Sequence, residues 1–455
     1  MSVGKSPEEL GHLPVRKLLI NYSLPTIFAQ VAASVYNIID SVFVGNEVGA
    51  LGLSAMAVTL PLMNIAAAFG AMIGAGGSTL ISIKMGQKDD VGAANVLGNV
   101  TVMNIILGLT LMTIGLLFMN PILTVFGASD QVRPLAADFM RIILLGNVVT
   151  HLYLGLNNAM RSSGNPQKAM NMTLMTVGVN LVLAFLFIKV FKWGLSGAAL
   201  ATVLAQLSAL IIILKHFANQ NEYLHFKRSA MKLKRNIVKG ILGIGISPFL
   251  MHTCSCLVVI LINRSLQDLG GDYAIGAYGN VNKILMFFAM VVLGINQGMQ
   301  PIAGYNYGAR QYDRVIEVLK NAICFASAVM IASWILCELF PSQIMSAFVK
   351  DDEKMVEMSA FGLKIAVITF PVVGFQMVAT TFFQSIGKAL WAAIQSVMRQ
   401  MLFLVPLVLI LPQFFGLTGL WAALPASDAL SALSTAILLI IQLKKFKKMK
   451  QETKI

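Results

Sequence analysis

Shifted against itself by about 222 residues, the chain matches. Leu24-Pro25 falls on Ser247-Pro248, Gly86 on Gly308, Arg141 on Lys364, Ser163-Gly164 on Ile386-Gly387, and Gly194-Leu195-Ser196-Gly197 on Gly416-Leu417-Thr418-Gly419. The two halves are copies of one module, and any fold must serve the same pattern twice.

Each copy is rich in apolar runs long enough to cross a bilayer. Twelve can be drawn, near 18–44, 51–80, 92–119, 133–159, 168–190, 194–216, 240–265, 274–303, 315–339, 355–383, 389–411 and 416–443. Hydrophobic residues make up 57% and charged residues only 12%, whereas a water-soluble domain carries about 25% charged residues. The expected fold class is therefore all-α integral membrane: twelve transmembrane helices in two six-helix lobes. Six spans per copy is an even number, so both copies enter the membrane in the same sense. A pseudo-two-fold axis along the membrane normal should relate the lobes. The expected division is an N-lobe at 1–216, a cytoplasmic linker at 217–239, a C-lobe at 240–443 and a basic tail at 444–455. Two similar membrane halves usually enclose a path for something between them, which points to a transporter.

The net charge of +14 raises the question of nucleic acid, and its distribution answers it. With the N-terminus inside, basic residues crowd the inner segments: Arg16 and Lys17, then Lys227, Arg228, Lys232, Lys234 and Arg235, then Lys444, Lys445, Lys447 and Lys448. The outer loops hold only Arg133, Lys189, Lys192, Arg264, Lys350 and Lys354. This is the positive-inside bias, and it places both termini in the cytoplasm. The partners expected are the lipid bilayer and small molecules, with no nucleic acid, and the chain is expected to act as a monomer. Residues 1–17 are polar, and the first apolar run is too long for a signal h-region, so it is expected to remain as the first helix.

Enzymatic constellations are missing from the sequence. No H-E-x-x-H joins the histidines, no G-x-S-x-G occurs, and the run Gly74-Ala75-Gly76-Gly77-Ser78-Thr79 lacks the lysine and strand of a phosphate loop. Close helix packing is the better use for those small residues. The four cysteines lie in apolar runs at spacings that suit neither a metal pair nor a disulfide. Transport would then be secondary, driven by an ion gradient or by the substrate itself, with no cofactor.

Charges inside apolar helices are costly and tend to be functional. Helical spacing puts Gln30, Tyr36, Asn37 and Asp40 along one polar stripe of the first helix. At roughly 1.5 Å per residue, Asp40 lies about 35 Å from Lys17, near the outer end. It is either a cavity carboxylate or an interfacial one. In the second half, Lys283, Arg399 and Asp428 stand in helices eight, eleven and twelve. Arg399 is about 15 Å in from the cytoplasm and Asp428 about 18 Å in from outside, so both reach the midplane. They form either a cavity pair, with Asp428 docking a cationic substrate, or a structural one. Pro25 leaves the carbonyl four residues earlier without a donor and is either a hinge or a static kink, as is its mate Pro248.

The stretches Leu24-Pro25 through Asn37-Ile-Ile-Asp40-Ser-Val-Phe-Val-Gly45, Gly76-Gly77-Ser-Thr-Leu-Ile-Ser-Ile-Lys-Met-Gly86, Arg161-Ser-Ser-Gly164-Asn-Pro166 and Gly194-Leu-Ser-Gly197-Ala-Ala-Leu-Ala-Thr202 resemble the multidrug and toxic compound extrusion (MATE) family over about residues 15–443. The resemblance implies alternating access driven by protons or sodium in a bacterial plasma (inner) membrane. It implies amphipathic, mostly cationic drugs, dyes or biocides as substrates. It carries a cation-coupling role to Asp40, Asn180 and Thr202, and marks Pro25 as the position proposed to bend. The family's second acid on the fifth helix falls here on Ala184. A hard cation such as sodium favours several oxygens and anionic charge, and a lone carboxylate suffices for a proton, so proton coupling is expected, with sodium at Asp40, Asn180 and Thr202 as the alternative. Ala184, one turn above Asn180, is expected to face the same cavity as Asp40. A flippase for lipid-linked saccharides would need more basic cavity residues than this chain has, and a membrane-embedded enzyme would need a nucleophile and base that do not appear.

Overall fold

The computed structural model describes residues 8–346 and 352–452, apart from the side chains of Asn37, Ile38, Ser41, Val42, Ala50, Asp272 and Glu452. Lys350, one of the basic residues expected in the outer loops, lies outside the described residues. Among the described residues there is no strand. Twelve spans follow one another: α1 (Val15–Glu47), α2 (Ala50–Gly86), α3 (Asp90–Leu117), α4 (arms Arg133–Leu145 and Asn147–Ser162), α5 (Pro166–Ala184, continuing as a π turn over Phe185–Val190) and α6 (Gly194–Ala218). The second copy supplies α7 (Arg235–Gly271), α8 (Tyr273–Gly308), α9 (Tyr312–Leu339), α10 (arms Glu353–Val367 and Phe370–Ser385), α11 (from Ala389 to the break at Gly416) and α12 (from Leu417 onward).

Where helices run together, glycine separates them. The stretch Ala389–Gln451 holds 63 residues, far beyond the roughly 20 that cross a membrane, and Gly416 breaks it at φ 56°, ψ −137°. Gly271 does the same between α7 and α8 at φ 60°, ψ −153°, a region that only glycine enters without strain.

The backbone repeats as the sequence does. Positive φ recurs in mated pairs: Gly49 and Gly271, Lys88 and Arg310, Gly164 and Gly387, Gly194 and Gly416. α4 bends by 52° after Leu145 and α10 by 56° after Val367, again about one repeat apart. Both second arms carry buried polar residues, such as His151 and Gln376.

By contact the chain gathers into two units. The first holds Phe28–Phe249, and the second holds Pro14–Ile27 together with Leu250–Ile455. The start of each copy's first helix thus belongs with the other copy's second helix. In the second unit, the Thr26 hydroxyl donates to Gly294 O at 2.6 Å, and Gly294 and Gly298 lie so close to Ile27 and Ser23 that a Cβ would collide with their backbones. In the first unit, Gly245 of α7 meets Met72 O and Gly76 of α2 meets Ile241 O with equally little room. Small residues permit these backbone contacts between membrane helices. The sequence division at 217–239 does not reveal this exchange.

Candidate functional site

The first unit brings four of the expected residues to one place. α1 carries Tyr36 and Asp40 one turn apart, α5 carries Asn180 and α6 carries Thr202. Asn180 Nδ2 donates to the Tyr36 hydroxyl at 3.2 Å and to Thr202 Oγ1 at 3.1 Å. Tyr36 Oη and Thr202 Oγ1 are 3.2 Å apart, and the Thr202 hydroxyl donates back to Ala198 O at 3.1 Å. With the Thr202 proton spent on Ala198, Tyr36 is the donor in its pair with Thr202. The triangle is therefore closed and both hydroxyl protons are engaged, that of Tyr36 within it and that of Thr202 on Ala198 O.

Two acceptors remain outside the triangle. Asp40 Oδ1 and Asn180 Oδ1 are buried, and neither has a hydrogen-bond partner among the described residues. Asp40 lies near enough for its charge to act on the Tyr36 phenol. A buried acceptor without a donor costs on the order of 1–3 kcal/mol, so the arrangement favours a positively charged or protonated species at the carboxylate. No group of three or more His, Cys, Asp or Glu residues able to hold a metal occurs among the described residues.

Ala184 departs from expectation. It is 1% exposed and packs among Val44, Leu195, Ala198 and Ala201, where it closes the apolar layer beside the site instead of facing a cavity. The π turn that begins at Phe185 directly follows it. The Asn37 side chain lies outside the described residues. Gln30 is half-buried on α1.

The remaining candidates belong to the second unit. Arg399 Nε donates to Asp428 Oδ1 at 2.8 Å, with the Asp428 side chain 12% exposed and the Arg399 side chain 34% exposed. Arg399 sits in a π turn, Met398–Leu404, a local widening that is common at functional sites. Beside it Gln400 Nε2 donates to the Ser255 hydroxyl of α7 at 3.1 Å, and Gln395 Oε1 accepts from Thr435 at 2.9 Å. Lys283 is exposed and separate from this group, and Pro25 is buried inside α1 two residues before the chain passes between units.

Sequence reasoning missed the pair Thr150 Oγ1 to Gln206 Oε1, which links α4 to α6 one turn from Thr202. The i, i+4 spacing of Thr202 and Gln206 was the available signal. The sequence also gives His151 no role beyond the missing H-E-x-x-H motif, although the ring is 1% exposed.

Comparison with known proteins agrees with this architecture. The family model described as MatE matches residues 25–186 and 244–410. A multidrug export protein MepA of Staphylococcus haemolyticus (strain JCSC1435) is 27% identical over 429 residues, covering 92% of each chain. The MepA of Staphylococcus aureus (strain MSSA476) is 26% identical over 428 residues, covering 94% of each. A solved structure of an outward-facing multidrug resistance MATE family transporter superimposes with a TM-score of 0.93 at 22% identity, covering 98% of this chain and 100% of that one. At that identity the last likeness speaks for the twelve-helix, two-lobe fold.

Proposed function

Since the chain belongs to the MATE family and is a transporter and not an enzyme, we propose that it is a multidrug exporter of the plasma membrane. It expels amphipathic, mostly cationic organic compounds in exchange for protons by alternating access, working as a monomer with both termini in the cytoplasm. The MepA relatives, named as multidrug export proteins, support the substrate class. The basic residues of the inner segments support the orientation.

The observation that carries proton coupling is the pair of unpartnered oxygens, Asp40 Oδ1 and Asn180 Oδ1, beside a closed triangle. A proton on Asp40 supplies the missing donor at once. Sodium favours a larger set of oxygens, yet Thr202 and Tyr36 are already engaged with Asn180, and Ala184 offers none. Protonation from outside neutralises Asp40 and lets it settle on Asn180 Oδ1. Release to the inside restores the charge and with it the preference for a cation. Pro25 is the position at which α1 bends during this cycle, since it removes a backbone donor two residues before the change of unit.

Dye efflux from proteoliposomes under a pH gradient at fixed sodium, and under a sodium gradient at fixed pH, tests the assignment. The expectation is transport in the first condition and none in the second. Transport with sodium alone assigns the site to the metal cation instead.

A further inference from the structure

The first unit contains buried polar groups that the exchange site leaves unused, and they line up. His151 on the second arm of α4 is 1% exposed, and both Nδ1 and Nε2 lack a hydrogen-bond partner among the described residues. Gly70 of α2 makes room for the ring: a Cβ there would stand 2.8 Å from Nδ1. One turn outward, Asn147 is 5% exposed with Nδ2 unpartnered, at the bend of α4. One turn inward, Asn104 of α3 lies against Gly155 with no exposure and Oδ1 unpartnered. Beyond it Asn158, over Gly74, accepts from Arg161 at the inner end of the helix.

A dry core does not tolerate four such atoms so close together, since each costs on the order of 1–3 kcal/mol. Glycine at 70, 74 and 155 lets the His151, Asn158 and Asn104 side chains lie directly on helix backbone, and a row of donors and acceptors left without protein partners suits water, which takes two to four partners. The row from Asn147 to Arg161 spans about 21 Å at 1.5 Å per residue. Near its outer end Thr150, next to His151 in the chain, bonds Gln206, one turn along α6 from Thr202 of the exchange site.

We infer that this polar row is a hydrated proton path from the Asp40 site to the inner face of the first unit, with His151 as its relay. The inference rests on the proton reading of the Asp40 site. A proton leaving the Asp40 carboxyl passes along water to one imidazole nitrogen, and the opposite nitrogen gives its proton to water beside Asn104 and Asn158. Only O–H and N–H bonds form and break, and no electron is exchanged. Imidazole suits this role because one ring nitrogen can accept a proton while the other donates one. Arg161 is the only charge on the second arm of α4. The packed elements carry theirs near helix ends: Lys84 on α2, Asp90 on α3, Lys168 and Lys189 on α5, Lys215 and His216 on α6, and Arg133, Asp138 and Arg141 on the first arm of α4. None of these is within a turn of the ring along its own helix to replace it as relay.

The experiment compares the reconstituted wild type with His151→Leu and His151→Gln. Dye affinity and thermal stability in detergent report folding, and dye efflux with proton release under a pH gradient reports the relay. The expectation is unchanged dye affinity with efflux about 10-fold slower or more in both variants, because glutamine can hold water but cannot shuttle a proton. A merely structural histidine would shift stability and leave the pH profile of the rate intact. Should His151→Leu fail to fold, His151→Gln decides alone. If the wild type runs on a pH gradient and the Gln variant keeps both its rate and its pH profile, the path is wrong and the Asp40 assignment stands. If the wild type runs on sodium alone, both fall together.

Discussion

The two units hold their interior acids in opposite ways. In the first, Asp40 stands on the copy's first helix beside groups from the fifth and sixth, and no cationic side chain pairs with it among the described residues. In the second, the corresponding helices α7, α11 and α12 contribute Ser255, Arg399 with Gln400, and Asp428, and the carboxylate is bound to a guanidinium of its own chain. On the proton reading proposed above, duplication left one station that borrows a positive charge and one that carries it covalently. A borrowed charge can be exchanged with the surroundings and coupled to transport, whereas a covalent one can only position and hold.

The largest expected effect tests the borrowed charge. Asp40→Asn should lower pH-gradient-driven efflux by about 100-fold or more while leaving folding intact, because an amide can occupy the protonated state but cannot titrate. Efflux retained at wild-type expression removes Asp40 from the coupling role. Next comes the covalent charge. Arg399→Gln should lower stability by about 1–2 kcal/mol, since the buried Asp428 is left alone while the partly exposed Arg399 limits the loss. Adding Asp428→Asn should recover most of that loss, read as the melting temperature in detergent. If Asp428→Asn weakens cationic dyes more than neutral ones at unchanged stability, the second station is a docking point and the contrast between units narrows.

A third change tries to convert the stations' surroundings. Ala184→Asp puts a carboxylate into the apolar layer of Val44, Ala198 and Ala201. It should destabilise the protein by about 2 kcal/mol or more without creating sodium dependence; efflux newly driven by a sodium gradient would show that the layer opens to the site. The smallest effect lies at the N-terminal ends of α3 and α9. Asp89 caps α3 by accepting from Gly92 N at 2.7 Å and pairs with Lys84 at 2.8 Å, whereas its mate Gln311 makes no side-chain cap. The Lys84 hydrogen bond, then that from Gly92, holds the Asp89 carboxyl below the usual range. Its contribution is therefore present at neutral pH and fades as acid protonates it. Asp89→Asn should flatten that small acid dependence of thermal stability, and Gln311→Asp should add about 0.5–1 kcal/mol.

Much of the fold was legible because a membrane solvent writes long apolar runs into a sequence, and duplication wrote them twice. The twelve runs correspond to α1–α12, and the polar stripe of α1 put Tyr36 and Asp40 together before any contact was known. The bend of α4 is not legible, because no proline marks Gly146; that of α10 carries a signal in Pro371, at the start of its second arm, where proline cannot continue the preceding hydrogen-bond ladder. Ala184 was misread because helical spacing tells which side a residue takes but not what the neighbouring helix presents there, and here that neighbour offers Ala198 and Ala201. His151 was passed over for a similar reason: its burial depends on Gly70, far away in sequence. The pairing of Arg399 with Asp428 was weighed as one option, since depth counting could align their heights but not their faces.

The exchange of helix beginnings between the two copies bears on how the chain is made. Synthesis delivers α1 first, but the backbone against which its early part packs, at Gly294 and Gly298, emerges only with α8, after six further spans. The start of α1 must therefore wait in the membrane as an unclaimed surface, and the first unit stays unfinished until α7 has inserted. Neither copy expressed alone has the residues to close its own packing. The duplicated gene must be read through before either half is complete, which ties the two modules together for assembly as firmly as for transport.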